Sequence, residues 1–313
     1  MNMKAIVLLL FLAFFLFTCQ TNNDSNLLLT ESLPEQMADY QKTIIGHLSG
    51  EFELANNTKI KSRWSPEERA IGRQYLRELL RQINIEPQNH NYRAPNLNPA
   101  IDLILEPFKG TNIYGILPAT NDSKEFIVLG AHYDTGKKNA PGAIDNATGV
   151  TLIYSVVKEL SKSQSRAINV IVVFFDQEEE ELIGSSAFVN HIQNKKWDIH
   201  SIHCFDMVGW DADKDNKMHI YSPSESLRNT YKVMAQKHNI LIKENKIDPI
   251  GYNVSSTDFD VFVPKGYNVI GGGDVDYSPY KDSPDDTYET VNFNYLLSCT
   301  KLVRDIIKNF VVI

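Results

Sequence analysis

Between residues 130 and 211 the chain gathers acidic residues and a histidine where apolar runs end. In "GAHYD", His132 and Asp134 stand two apart at the end of such a run. Residues i and i+2 of a strand share a face, so the two side chains can point the same way. A metal-bound histidine normally donates its other ring N–H to a carboxylate, and Asp134 is placed for that task. A solvated strand end would contain the same pair. Asp145 follows in the loop "PGAIDNATGV", just before a helical pattern. Aspartate there is a favoured helix N-cap at the positive end of the dipole, and equally a carboxylate able to bridge metals. "FFDQEEEELIG" then runs from an apolar segment into Asp176 and the four glutamates Glu178 to Glu181. Four adjacent carboxylates repel one another, so they form a solvated turn or include one that does chemistry. Asp206 interrupts the apolar "HCFDMV". A buried carboxylate is costly unless it is paired, neutral or metal-bound, and a salt bridge is the plain alternative.

Alternating apolar strands and amphipathic helices must position these groups. Strand patterns lie at residues 111–117, 125–133, 168–175, 202–208, 217–222 and 267–273. Helical patterns lie at 65–83, 147–163, 184–194, 224–238 and 294–310. The first helix is the clearest, with Ser65 and Glu68 as a capping box, Pro66 at its first position and an apolar face from Ile71 to Ile83. This alternation predicts an α/β protein, a three-layer α/β/α sandwich around a mixed, mostly parallel sheet. Sites in such sheets lie beyond the carboxyl ends of the strands. "GAHYD", "DQEEEE" and "FDMVGWD" all sit at such ends.

At 313 residues the chain is long enough for a substantial core, and nothing linker-like divides residues 45–313, read as one catalytic domain. A net charge of −8 argues against a nucleic-acid surface. Residues 1–18 read as a signal peptide: Lys4, then an unbroken apolar run of 13 residues from Ala5 to Phe17, too short to span a bilayer comfortably. "LFTC" before Cys19 resembles a bacterial lipobox, with Thr18 an unusual residue in it. Its implication is a lipidated Cys19, a tether over residues 19–44 and an extracytoplasmic, membrane-anchored lipoprotein. An ordinary cleaved signal and an uncleaved anchor are the alternatives. Cys204 and Cys299 fit neither a disulfide framework nor a zinc-finger spacing and read as small buried apolar residues.

The ordered set "GAHYDT", "PGAIDNATGV", "FFDQEEEELIGS", "FDMVG" and "SPDDT", from about residue 60 to the carboxyl terminus, resembles the co-catalytic zinc exopeptidases. That family includes bacterial leucyl aminopeptidases, aminopeptidase Y and glutamate carboxypeptidase-like proteins, and glutaminyl cyclases share its fold. Its pattern E-E-x-G-L-x-G-S sets a register through Leu182, Gly184 and Ser185, with Glu181 where the family has glycine. The resemblance implies Glu178 as general base and Glu179 as metal ligand. It implies His132 and Asp206 on one zinc, Asp145 bridging, and Asp134 behind His132. "SSTDFDVF" resembles a stretch near the substrate cleft, which makes Asp258 a candidate for the substrate amine or for a turn. The implied reaction is hydrolysis of an N-terminal peptide bond by metal-activated water. Alternatives are glutaminyl cyclisation on the same scaffold and a catalytically dead binding protein.

The pattern breaks at the fifth ligand. The family has a histidine where "YKDSPDDT" carries Asp282, and His238 is the last histidine in the chain. Asp282 can substitute as an oxygen ligand, since zinc accepts carboxylates at about 2.0–2.2 Å. The second site is then all carboxylate and friendlier to Mn²⁺ or Mg²⁺. The same site can instead be weakly filled, leaving one metal, or the chain can be inactive. Lys281 beside it is a second departure, able to pair with Asp282 and occupy it.

Overall fold

The computed structural model describes residues 28–29, 31–94, 108–247 and 257–312. The signal segment and Cys19 lie outside the described residues. The strands are β1 (Gln88–Ala94), β2 (Phe108–Leu117), β3 (Glu125–His132), β4 (Asn169–Phe175), β5 (Asp198–Phe205), β6 (Lys217–Ser222), β7 (Leu241–Lys246) and β8 (Val269–Asp274). They form one sheet in the order β1-β2-β4-β3-β5-β8-β6-β7. β4, β3, β5 and β8 run parallel at its centre, β1–β2, β2–β4 and β6–β8 are antiparallel, and β6–β7 is parallel.

The helices are α1 (Met37–Leu48), α2 (Pro66–Gln82), α3 (Thr148–Ser161), α4 (Ile183–Lys195), α5 (Glu225–Gln236) and α6 (Phe293–Val311). Strand alternation divides the apolar residues between two cores. Leu129, Val170, Val172 and Phe174 face one core with residues of α1, α2, α3, α5 and α6. Val128, Ile171, Val173 and Phe175 face the other with Phe188 and Ile192 of α4 and Phe259 and Phe262. The architecture is the expected α/β/α sandwich, with a thinner second layer.

Three elements carried no sequence expectation. β1 and β7 are the sheet edges, and an edge strand can be polar because one of its sides faces water. β7, "LIKENK", is exposed along most of its length. α1 crosses the boundary expected between residues 44 and 45. Its Tyr40, Ile44, Ile45 and Leu48 are buried, and Leu28 and Leu33 join the same core. The Leu28 amide donates to Glu78 of α2 at 2.9 Å. The segment before residue 45 is therefore, from Leu28 on, largely part of the domain.

The chain passes from β3 through α3 to its neighbour β4, then through α4 back over β3 to β5. Loops leaving β4 and β5 thus flank the end of β3. A reversal of this kind opens a crevice beyond the carboxyl ends of the strands.

Candidate metal centre at the strand ends

His132 ends β3 with its ring 1% exposed. Its Nε2 lies 3.2 Å from Asp145 Oδ1, 3.2 Å from Asp206 Oδ1 and 3.9 Å from Glu178 Oε2. The other ring nitrogen, Nδ1, faces Asp134 Oδ1 at 3.5 Å. Asp134 also accepts the Glu178 amide at 3.1 Å and the Glu179 amide at 3.3 Å. One carboxylate thus backs the histidine and fixes the glutamate pair.

Asp145 is not a helix cap. Asn146 supplies that function, accepting the Gly149 amide at 2.9 Å and the Met207 amide at 3.1 Å while donating to the Phe205 carbonyl at 3.0 Å. The Asp145 carboxylate is left for the site. Asp286 holds the loop beneath it, accepting the Ile144 and Asp145 amides at 2.8 and 3.0 Å.

The glutamate run divides in two. Glu178 is buried and Glu179 half-buried, whereas Glu180 and Glu181 are exposed. Glu181 has φ +67° and Leu182 φ +60°, so the position where the resembled family has glycine adopts the left-handed conformation that glycine takes most readily. At the start of α4, a Cβ on Gly184 would collide with the Asp176 carbonyl. Asp176 itself is structural: Arg69 Nε meets its Oδ1 at 2.8 Å, and the Thr111 amide donates to its Oδ2 at 2.9 Å.

Around His132, two trios of ligand atoms lie within 4.8 Å of one another, His132–Asp145–Glu179 and His132–Glu178–Asp206. Asp282 belongs to neither. Its carboxylate and that of Glu179 converge on the face of Gly136, where a Cβ would strike both. Lys281 does not pair with Asp282. Its Nζ sits 3.1 Å from Asp145 Oδ2. Asp258 is buried near the site and has an unpartnered Oδ1.

These donors suit a divalent cation. Two ligands about 2.1 Å from one zinc at a tetrahedral angle are about 3.4 Å apart, and His132 Nε2 stands 3.2 Å from a carboxylate oxygen of Asp145 and from one of Asp206. The electrostatics agree. Burial pushes Glu178 up to about 10, with Asp206 and Asp258 adding to the rise against His132. Burial, then Asp145, raises Glu179 to about 8. Burial raises Asp258 to about 7. Asp145 alone is held low, at about 2, because His132 and Lys281 outweigh its burial. The protein's own cations therefore serve Asp145 well and leave Glu178 and Glu179 with raised proton affinity, and a nearby metal charge is what would ionise the two glutamates.

Sequence reasoning missed Arg63. Its guanidinium is fully buried and donates to the carbonyls of Tyr133 and Leu48 at 2.5 Å, Pro141 at 2.7 Å and Gly142 at 2.8 Å. Backbone acceptors have no residue-type signature, so no motif could have announced these contacts. Beside the metal centre opens a cleft of about 380 Å³. Asp206 and Lys281 form its inner edge, and His219, Tyr221, Phe259 and Asp274 are among its walls.

A family model, peptidase family M28, matches residues 112–307. The chain is similar to Aminopeptidase YwaD of Bacillus subtilis, 30% identical over 111 residues, which are 35% of this chain and 24% of that protein. It spans about a quarter of the length of the curated relatives it matches. Its fold is similar to that of BSAP, a zinc aminopeptidase from Bacillus subtilis, with TM-score 0.73, 14% identity, and 90% and 97% of the two chains covered. It is similarly close to a glutaminyl cyclase from Bacteroides thetaiotaomicron, with TM-score 0.69, 16% identity, and 88% and 99% covered.

Proposed function

The chain belongs to peptidase family M28, and from that membership we propose that it is a zinc-dependent aminopeptidase. One observation carries the reading: a buried imidazole whose Nε2 has the Asp145 and Asp206 carboxylate oxygens each 3.2 Å away and Glu178 at 3.9 Å. Zinc would be held by His132, Asp145 and Asp206. When bound, it would polarise the scissile carbonyl and lower the pKa of the attacking water.

The remaining steps belong to the protein. Glu178 takes a proton from the water and returns it to the leaving amine. Its backbone amide is held by Asp134, so the base stays in place while its charge changes. Asp258, with one unpartnered oxygen, is the candidate to receive the peptide's terminal ammonium. The cleft lining mixes Asp206, Asp274 and Asp276 with Lys243 and Lys281, so selection for the ammonium rests on Asp258 rather than on the overall charge of the cleft. Tyr221 and Phe259, stacked with ring centres 5.9 Å apart, offer an apolar wall to the first side chain. The amino-terminal sequence supports placing this activity outside the cytoplasm, on a chain tethered through Cys19.

The test is zinc content of the purified protein, with chelator-sensitive release of amino acids from aminoacyl-arylamides. Cyclisation of an N-terminal glutamine peptide is measured in parallel. The expected result is bound zinc, and release that chelation abolishes and added zinc restores. Cyclisation without release would move the assignment to a cyclotransferase. Protein that neither binds zinc nor turns over either substrate would overturn both.

A further inference from the structure

Asp145 offers one oxygen to each side. Oδ1 lies 3.2 Å from His132 Nε2, on the side where Asp206 also converges. Oδ2 lies 3.1 Å from the ammonium of Lys281. Asp145 is 2% exposed and Lys281 28%, so the contact is largely shielded from water. Glu179 groups with Asp145 and His132, and Asp282 is the carboxylate that stands beside Glu179. Asp282, at φ +57°, rests against Gly136 beside Glu179 and outside both ligand trios.

We infer that Lys281 is a built-in cation standing where a second metal ion would otherwise sit, so that this chain works with a single zinc. The inference rests on the zinc reading above. An ammonium at hydrogen-bond distance from that oxygen disfavours a dication on the same side, because the two cations repel at close range. The exchange is chemically specific. An ammonium supplies positive charge and three N–H donors, but no empty coordination position. It can therefore hold Asp145 ionised without acidifying a water. Lys281 also borders the cleft beside Asp206, which leaves its other N–H groups positioned to meet substrate. The replaced histidine and the gained lysine then belong to one change: with the ammonium in place, the fifth ligand has no ion to hold.

The decisive measurement is zinc per chain after loading with excess zinc chloride and desalting, by elemental analysis. The wild type should retain one zinc. Asp282→His alone should also retain one, because Lys281 still covers Asp145. Lys281→Met combined with Asp282→His should retain two, and Lys281→Arg should return to one. Two zinc ions in the wild type, or a second one gained by Asp282→His alone, would overturn the inference and leave the zinc reading standing. A double variant that stays at one would also overturn it. No zinc in the wild type would overturn both.

Discussion

Glu178 and Glu179 are neighbours in the chain that meet different surroundings. Glu178 groups with His132 and Asp206, and Glu179 with His132 and Asp145. Both amides donate to Asp134, and from that shared anchor the two side chains reach different aspartates beside one imidazole. The position of Glu178 suits proton transfer, and its raised affinity for protons makes its ionised form dependent on nearby positive charge. Glu178→Gln keeps the shape and removes the base. Turnover of an aminoacyl-arylamide should fall by roughly 10²–10⁴-fold, the usual scale of general acid–base catalysis. Zinc content should stay that of the wild type. Loss of zinc together with activity would instead make Glu178 a ligand and shift the base to another group.

At the scale of elements, the centre depends on how the end of β3, the loop before α3 and the end of α1 are joined. Arg63 joins them: Leu48 closes α1, Tyr133 follows β3, and Pro141 and Gly142 lead to Asp145. Burial lowers its guanidinium to about 10 while Asp286, Asp134 and Asp145 push the other way, so it stays charged at neutral pH. Arg63→Met would leave several buried carbonyls without donors, at about 1–3 kcal/mol each before relaxation. The expected loss of stability is at least about 3 kcal/mol, read from the urea midpoint. Arg63→Lys should recover little, since a single ammonium lacks the planar fork of donors that reaches carbonyls on several sides. A loss below about 1 kcal/mol for Arg63→Met would show that water takes over these acceptors.

For the whole molecule, the sandwich was legible because its central strands are buried on both faces and read as apolar runs. Edge strands β1 and β7 and helix α1 were less so, since partial exposure dilutes the pattern. His132, Asp145, Glu178, Glu179 and Asp206 were legible as a set through the order of their motifs. The partner of Lys281 was not, because chain proximity pointed to Asp282 while the fold brings Asp145 to it. Burial from Leu28 onward also sharpens the expectation for the amino terminus. Only eight residues, 20–27, separate Cys19 from the docked Leu28. Such a segment reaches at most about 30 Å when extended, so lipidation would keep the domain close to the membrane. Among the described residues no helix is long and apolar enough to cross one. In detergent phase partition of cells expressing the full chain, the wild type should enter the detergent phase. Cys19→Ser should shift it to the aqueous phase if the acyl chains are the anchor, because stable anchoring by lipid takes more than one hydrophobic attachment. A Cys19→Ser protein that stays with detergent and has the mass of the uncleaved chain would make the apolar run from Ala5 to Phe17 the anchor. A wild type found in the aqueous phase, shortened at its amino terminus, would make it an ordinary cleaved signal.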